Sequence, residues 1–526
     1  MKGESRFTRR VGLFTFGTLL SRVMGVVREA VFAHLFGAGL ATDAFNVAFR
    51  IPNFLRDLFA ESALSAAFVP TFVASLRSGD QRKTWQFANN MFNTIILILT
   101  LIVLLGIFFA PQVVRVVAWG FKGEPEKLAL TVTLTRIMFP LLLFVALAAW
   151  AMGILNACGS FFIPASAPVA FNVVSAVVPI VTYGFFQARG LPPILGMAYG
   201  VTFGALVQFL VQIPRLNSFG FRFQPVLVFS DPALRQVFLR WLPMILGFAT
   251  WQVNFLVNTF LLTFLREGSV TWVSYAYRIQ HLPSGLFGVA IGTVALAEYS
   301  HTVGNNARLD KDQFAHALNL VTVFTLPASV LLLVLSVPVV RLIYQHGRFT
   351  SFDTYQTVQA LALYALGVWP AAATRNCAAG FYSLGNTKTP ALVAMGVVGL
   401  NIILNLILMR YIGFRSFPLN SSICQLFNFV ILFTLLARHQ KGLGGRASIS
   451  VFFRAFLAAI LGGFFAGLFA LLFERILPTP RFLLTGIEIF ICGSIGLVAY
   501  YLFARLFQVK EVREALISLF RPKTLI

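Results

Sequence analysis

Charge is scarce in this sequence. Only 11% of its 526 residues are Asp, Glu, Lys or Arg, and the acidic side chains number just 18. A soluble domain of ordinary composition carries roughly 25% charged residues in its polar shell. Cysteine is nearly absent. Cys158, Cys377, Cys424 and Cys492 all lie in apolar stretches and form no CxxC pair, so neither a disulfide framework nor a metal site is indicated. There is no Walker A sequence and no nucleophile–base constellation, which leaves no internal ATPase and no enzyme site to read, and no cofactor is called for. The formal net charge of +23 comes without zinc-finger spacing or a basic domain, so nucleic acid is not the expected partner.

What the chain has instead is apolar length. Hydrophobic residues make up 58% of it. Apolar stretches of about 20 residues, enough for a helix to cross roughly 30 Å of hydrocarbon, recur to the end of the chain. Lipid admits only helices or closed barrels, and long continuous runs select helices. The sequence therefore predicts an all-α polytopic membrane protein with about 14 transmembrane helices. Their approximate cores are 11–36, 41–73, 86–110, 127–155, 161–186, 192–213, 235–264, 270–299, 315–344, 354–384, 389–412, 417–437, 450–475 and 482–506. The first stretch is interrupted by Ser21, Arg22, Arg28 and Glu29 and reads as a retained span, not a cleaved signal. Basic residues cluster in alternate loops: Arg77, Arg82 and Lys83; Arg215, Arg222, Arg235 and Arg240; Arg308 and Lys311; Arg438, Lys441 and Arg446; and the tail. By the positive-inside rule both termini are expected in the cytoplasm. Val509–Ile526 reads as a short amphipathic helix on that surface.

A weak repeat runs at an offset of about 228 residues, linking Ala48-Phe49-Arg50-Ile51 to Ala276-Tyr277-Arg278-Ile279. Pro164 and Asn172 have near-counterparts in Pro390 and Asn401. Each copy holds an even number of spans, so two pseudo-symmetric six-helix lobes are expected, 1–228 and 229–440, with the substrate site between them. Residues 441–526 then form an extra helix pair and a tail.

Ionisable residues inside a bilayer cost about 2.5–3.5 kcal/mol each on insertion scales, and they usually face a cavity or a partner. The first two spans hold Arg22, Arg28, Glu29, Asp43, Arg50, Arg56, Asp57 and Glu61; the eighth holds Arg278. Asp43 lies near a span end and can snorkel. Arg22 with Glu29 and Arg50 with Asp57 can be read as structural ion pairs; read functionally, Arg22, Arg28, Arg56 and Arg278 leave an excess of positive charge in one region, suited to phosphate oxygens. Gly25 and Pro52 predict bent or broken early spans. The spacing Gly196-x-x-x-Gly200-x-x-x-Gly204 predicts a close helix–helix contact.

Several stretches resemble one known family. Ser21-Arg22-Val23-Met24-Gly25-Val26-Val27-Arg28-Glu29-Ala30, Phe36-Gly37-Ala38-Gly39 with Ala41-Thr42-Asp43-Ala44-Phe45, Ile51-Pro52-Asn53-Phe54-Leu55-Arg56 and Phe59-Ala60-Glu61 resemble the opening of the MurJ family, bacterial lipid II flippases of the MOP transporter superfamily. Pro283-Ser284-Gly285, Gly347-Arg348-Phe349-Thr350 and Gly380-Phe381-Tyr382-Ser383 continue the match in order. The resemblance implies a central cationic cavity and a groove for a polyprenyl tail near helices 13 and 14. By matched motif it places the family's essential arginines on Arg22, Arg28, Arg56 and Arg278 and its acid on Asp43, with Ser21 and Glu29 among the cavity's polar groups. Glu29 stands where Asp is usual, Tyr277 and His281 replace acids often seen beside the helix-eight arginine, and Trp241–Phe264 lacks the acid with which some relatives bind sodium. The implied substrate is lipid II, flipped to the outer leaflet by alternating access and driven by the membrane potential or an ion gradient. The implied setting is a monomer in the bacterial cytoplasmic (inner) membrane, contacting membrane lipid and the cell-wall synthesis machinery. The alternative is a flippase for another polyprenyl-diphosphate-linked oligosaccharide.

Overall fold

The computed structural model describes residues 2–58, 63–306, 308–440, 445–476 and 482–514. Among them there is no strand. The helices in chain order are α1 (Lys2–Phe36), α2 (Leu40–Arg56), α3 (Ala63–Arg77), α4 (Gln81–Phe108), α5 (Ala110–Val117), α6 (Pro125–Met138), α7 (Leu141–Ala157), α8 (Phe162–Ala188), α9 (Leu195–Leu210), α10 (Ile213–Ser218) and α11 (Pro232–Leu262). They continue with α12 (Ser269–Pro283), α13 (Val289–Asn306), α14 (Lys311–Val334), α15 (Ser336–Tyr344), α16 (Ser351–Ala365), α17 (Val368–Ser383), α18 (Lys388–Ile412), α19 (Ser416–His439), α20 (Gly445–Ile476) and α21 (Phe482–Leu506). A helix or broken helix underlies every expected apolar stretch, and 9 helical runs among the described residues are long and apolar enough to cross a membrane. The longest of these runs, Lys388–His439, contains both α18 and α19.

The chain groups into two compact units, Met1–Thr271 with His346–Phe349, and Trp272–Gln345 with Thr350–Ile526. In the first, α7 is buried on most of its surface, with Trp150 1% exposed. Helices α8 and α9 pack through the small-residue face that their sequence predicts. A Cβ on Gly204 would lie 2.7 Å from the Phe171 carbonyl and the Ser175 hydroxyl, and one on Gly200 would lie 3.3 Å from Pro179. Lipid tails are as apolar as the helices, so close backbone approach, not water exclusion, is what joins such a pair.

Three asparagines on α4 hold the segment before α11. Asn89 donates to the Arg222 carbonyl at 3.0 Å and accepts from Gln224 N–H at 2.8 Å. Asn90 exchanges hydrogen bonds of 2.8 Å with both backbone groups of Val228, and Asn93 donates to Gln224 and Val226 at 2.8 and 2.9 Å. The side chains thereby satisfy backbone groups that a neighbouring strand would otherwise satisfy.

In the second unit, Tyr299, Phe314, Cys377 and Leu436 form one buried cluster. Val323, Ala458, Tyr500 and Ala504 form another, joined by Val509 and Val512 from the start of the tail. Glu511 accepts from Asn319 at 2.8 Å. The described part of the tail therefore turns its apolar side to protein, where the sequence suggested a membrane surface; residues 515–526 lie outside the described set.

The sequence repeat carries local structure. Ala48 and Ile51 are buried while Phe49 and Arg50 are half-buried, and Ala276, Tyr277, Arg278 and Ile279 show the same pattern. Both helices then loosen into a π turn, at Asp57–Leu58 after α2 and at Ser284–Gly288 after α12. The second span is thus broken as expected, although Pro52 sits inside α2 and the break comes later. The expected break in the first span is absent. Helix α1 runs through Gly25, whose open side faces Asn172, with a Cβ position 3.7 Å from its amide nitrogen.

Candidate functional site

Helix α1 presents the first candidates. Ser21 is half-buried, and its carbonyl accepts from Asn172 of α8 at 3.1 Å. Arg22 is exposed, and no hydrogen bond or ion pair engages it among the described residues. Arg28 is half-buried beside the Phe171 ring, 5.3 Å from its centroid, and Nη2 donates to Glu29 Oε1 at 2.5 Å. Glu29 is buried. The expected pairing of Arg22 with Glu29 is thus replaced by a pairing of sequence neighbours, and Arg28 is not the uncompensated charge that the sequence suggested.

The same correction applies to α2. Arg56 donates to Asp57 Oδ1 from Nε at 3.1 Å and from Nη2 at 2.8 Å, while Asp57 Oδ2 accepts from Gln252 of α11 at 2.8 Å. Arg50, the expected partner of Asp57, lies instead over the Phe255 ring at 3.4 Å, a cation–π contact. Glu61 lies outside the described residues.

Asp43 does not snorkel. It is 1% exposed and closes the start of α12 from across the unit. Its Oδ2 accepts from Gly268 N–H at 2.7 Å, and its Oδ1 accepts from Thr271 N–H at 3.0 Å and the Thr271 hydroxyl at 2.7 Å. A carboxylate at a helix N-terminus satisfies unpaired N–H groups and complements the helix dipole. The residual charge meets Lys127 of α6, itself 1% exposed, with Nζ 3.5 Å from Asp43 Oδ2, 3.5 Å from Glu124 and 4.2 Å from the Phe121 ring centre. Sequence reasoning missed Lys127 because it falls at the start of an apolar stretch, where a lysine ordinarily reaches water.

In the second unit, Arg278 is half-buried on α12, 6.0 Å from the Tyr275 ring centre. Tyr277 stacks on His281 at 5.4 Å and meets Tyr364 edge-on at 5.8 Å. The positions beside Arg278, Tyr277 and His281, are therefore engaged in ring contacts of their own. Arg375 of α17 lies against the following turn: a Cβ on Gly288 would be 3.7 Å from its Cδ, and one on Gly292 would be 3.5 Å from its Cβ. No group of three or more His, Cys, Asp or Glu side chains gathers among the described residues.

Comparison with known proteins agrees with this architecture. The family model described as lipid II flippase MurJ matches residues 32–485. The chain is 34% identical over 454 residues to the probable lipid II flippase MurJ of Vibrio cholerae, covering 84% of each protein. It is 32% identical over 436 residues to the lipid II flippase MurJ of Burkholderia cenocepacia, covering 81% of this chain and 82% of that one. A solved structure of lipid II flippase MurJ in an inward closed conformation superposes with TM-score 0.75 at 27% identity, over 94% of this chain and 98% of that one. An inward-facing multidrug resistance MATE family transporter of the MOP superfamily shares the fold, with TM-score 0.61 at 15% identity over 80% and 94% of the two chains. The chain belongs to the lipid II flippase MurJ family.

Proposed function

We propose that this protein flips lipid II from the cytoplasmic to the outer leaflet of the bacterial cytoplasmic membrane by alternating access. The observation that carries this reading is the family match over residues 32–485, which spans both units and includes Arg56 and Arg278. Arg22, Arg28, Arg56 and Arg278 bind the diphosphate and the groups next to it, with Ser21, Glu29 and Asp43 as polar neighbours. Glu29 and Asp57 hold two of the guanidinium groups in place without substrate, and diphosphate oxygens offer the same acceptor chemistry. An inside-negative potential favours outward movement of an anion by about 2.3 kcal/mol per charge per 100 mV, so net charge movement supplies a driving force without ATP.

The proposed topology has 14 spans and both termini in the cytoplasm, with repeats over 1–228 and 229–440 and a helix pair over 441–526. The protein acts as a monomer alongside the cell-wall synthesis machinery. The test is complementation. A host depleted of its own lipid II flippase, expressing this chain, should regain growth and deliver lipid II to the outer leaflet. A chain that inserts at normal levels and leaves lipid II on the inner leaflet would refute the reading.

A further inference from the structure

The last helix carries a single acid, and the proposed function leaves it unused. Glu488 lies in the second turn of α21 and is 4% exposed. Its Oε1 is buried and has no hydrogen-bond partner among the described residues. Helices α20, α15 and α14 pack against α21. From α15 comes Arg341, whose Nη1 donates to Glu474 Oε1 of α20 at 3.0 Å; their side chains are 26% and 45% exposed. The Nε of Arg341 is also buried without an acceptor. Helices α15 and α21 meet beside these residues: a Cβ on Gly486, two residues before Glu488, would lie 4.0 Å from Leu342, the residue after Arg341.

Among the described residues, the remaining surroundings offer little compensation. Leu331 of α14 and Leu335, directly after it, lie against α21. On α20 the other charged neighbour of Glu474 is Arg475, which is exposed, and on α21 itself the nearest titratable group is Cys492, one turn on. Arg481 lies outside the described residues.

Glu474 thus engages Arg341, while a buried donor on Arg341 and a buried acceptor on Glu488 are both unmatched among the described residues. An isolated carboxylate removed from water is costly, and it ordinarily neutralises by taking up a proton. A metal ion is a poorer occupant, because hard cations gather several oxygens and here a single orphan oxygen is present among the described residues. We propose that Glu488 is a proton-binding site in the C-terminal helix pair, protonated while Glu474 holds Arg341 and drawing Arg341 to itself when the proton leaves. The proton passes between water and a Glu488 carboxylate oxygen, with the half-exposed Glu474 marking the way out at the end of the α20–α21 hairpin. On the topology proposed above that end faces outward, so the site responds to the outer proton concentration. Proton binding stands without the proposed function; only its coupling to flipping rests on that reading.

The experiment uses the full chain in lipid nanodiscs and in vesicles. Infrared spectra across a pH series should show a titrating carboxyl band in the wild type that is lost in Glu488→Gln and kept, at a shifted midpoint, in Glu474→Gln. A Glu488→Gln spectrum that titrates like the wild type overturns the site. Should Glu488→Gln fold poorly, Glu488→Asp must retain the band at a displaced midpoint, and absence of any band in that folded variant overturns the proposal equally. In vesicles, lipid II flipping by the wild type should vary with outer pH and that dependence should be lost in Glu488→Gln. A rate that follows sodium at fixed pH and ignores pH would identify a cation site instead and sink the proton reading. Loss of flipping in every protein with the infrared band intact would count against the flippase reading alone.

Discussion

Arg28 and Arg56 each find a carboxylate one position further along the chain, so their guanidinium groups are oriented before any substrate arrives. Arg28→Lys keeps the charge and loses the planar fork. A charge-assisted hydrogen bond contributes about 1.5–3 kcal/mol, so lipid II binding to Arg28→Lys should weaken roughly ten- to hundredfold. Arg28→Ala and Arg278→Ala should abolish translocation while membrane insertion stays normal; flipping assays beside expression levels check both. Lys127 makes a different prediction. Removing one partner of a buried ion pair costs about 3–5 kcal/mol, so Lys127→Met should lower thermal stability in detergent by that order. Asp43→Asn combined with Lys127→Met should cost less than the sum of the two changes, because each single change leaves the other charge stranded. The arginine positions were legible in the sequence because charge within apolar runs is conspicuous. Their partners were not, since Glu29 and Asp57 sit at spacings that ideal helical phase does not favour, and rotamer choice decided the pairing.

At the scale of elements, the small-residue spacing on α9 was legible because it states a distance of approach directly. Gly204→Val should overpack the α8–α9 contact at a cost of about 1–3 kcal/mol or more. Gly184→Val on α8, where a Cβ meets nothing within 4 Å, should be tolerated, and comparing the melting of the two variants checks the contrast. The asparagine cradle on α4 was invisible in the sequence, since its partners are backbone groups more than 100 residues away. Asn90→Ala removes the bonds to Val228 and leaves backbone groups to find new partners. Segment 222–231 should then be cut faster by trypsin at Arg222 with the helices intact. The break after α2 was expected from Pro52 but falls at Asp57–Leu58, and a π turn also follows α12, at Ser284–Gly288.

For the molecule as a whole, the all-helical membrane fold was legible from composition and run length, and the family from a few dense motifs. Contacts group the chain with a boundary at Thr271–Trp272 and assign His346–Phe349 to the first unit, an exchange that no feature of the sequence marks. Orientation is open to direct measurement. In a cysteine-free background, Ser78→Cys should react with an impermeant thiol reagent only from the cytoplasmic side and Gly123→Cys only from outside; the reverse pattern would invert the topology. The docked start of the tail bears on how the protein is handled. Val509 and Val512 are buried in a core cluster of the second unit and Glu511 holds Asn319, so residues 509–512 belong to the folded body. A reporter joined directly after Leu506 would evict that plug and lower yield, whereas one joined beyond Ile526 leaves it seated, and the choice of fusion point decides whether a poorly expressed variant reports on its mutation or on its tag.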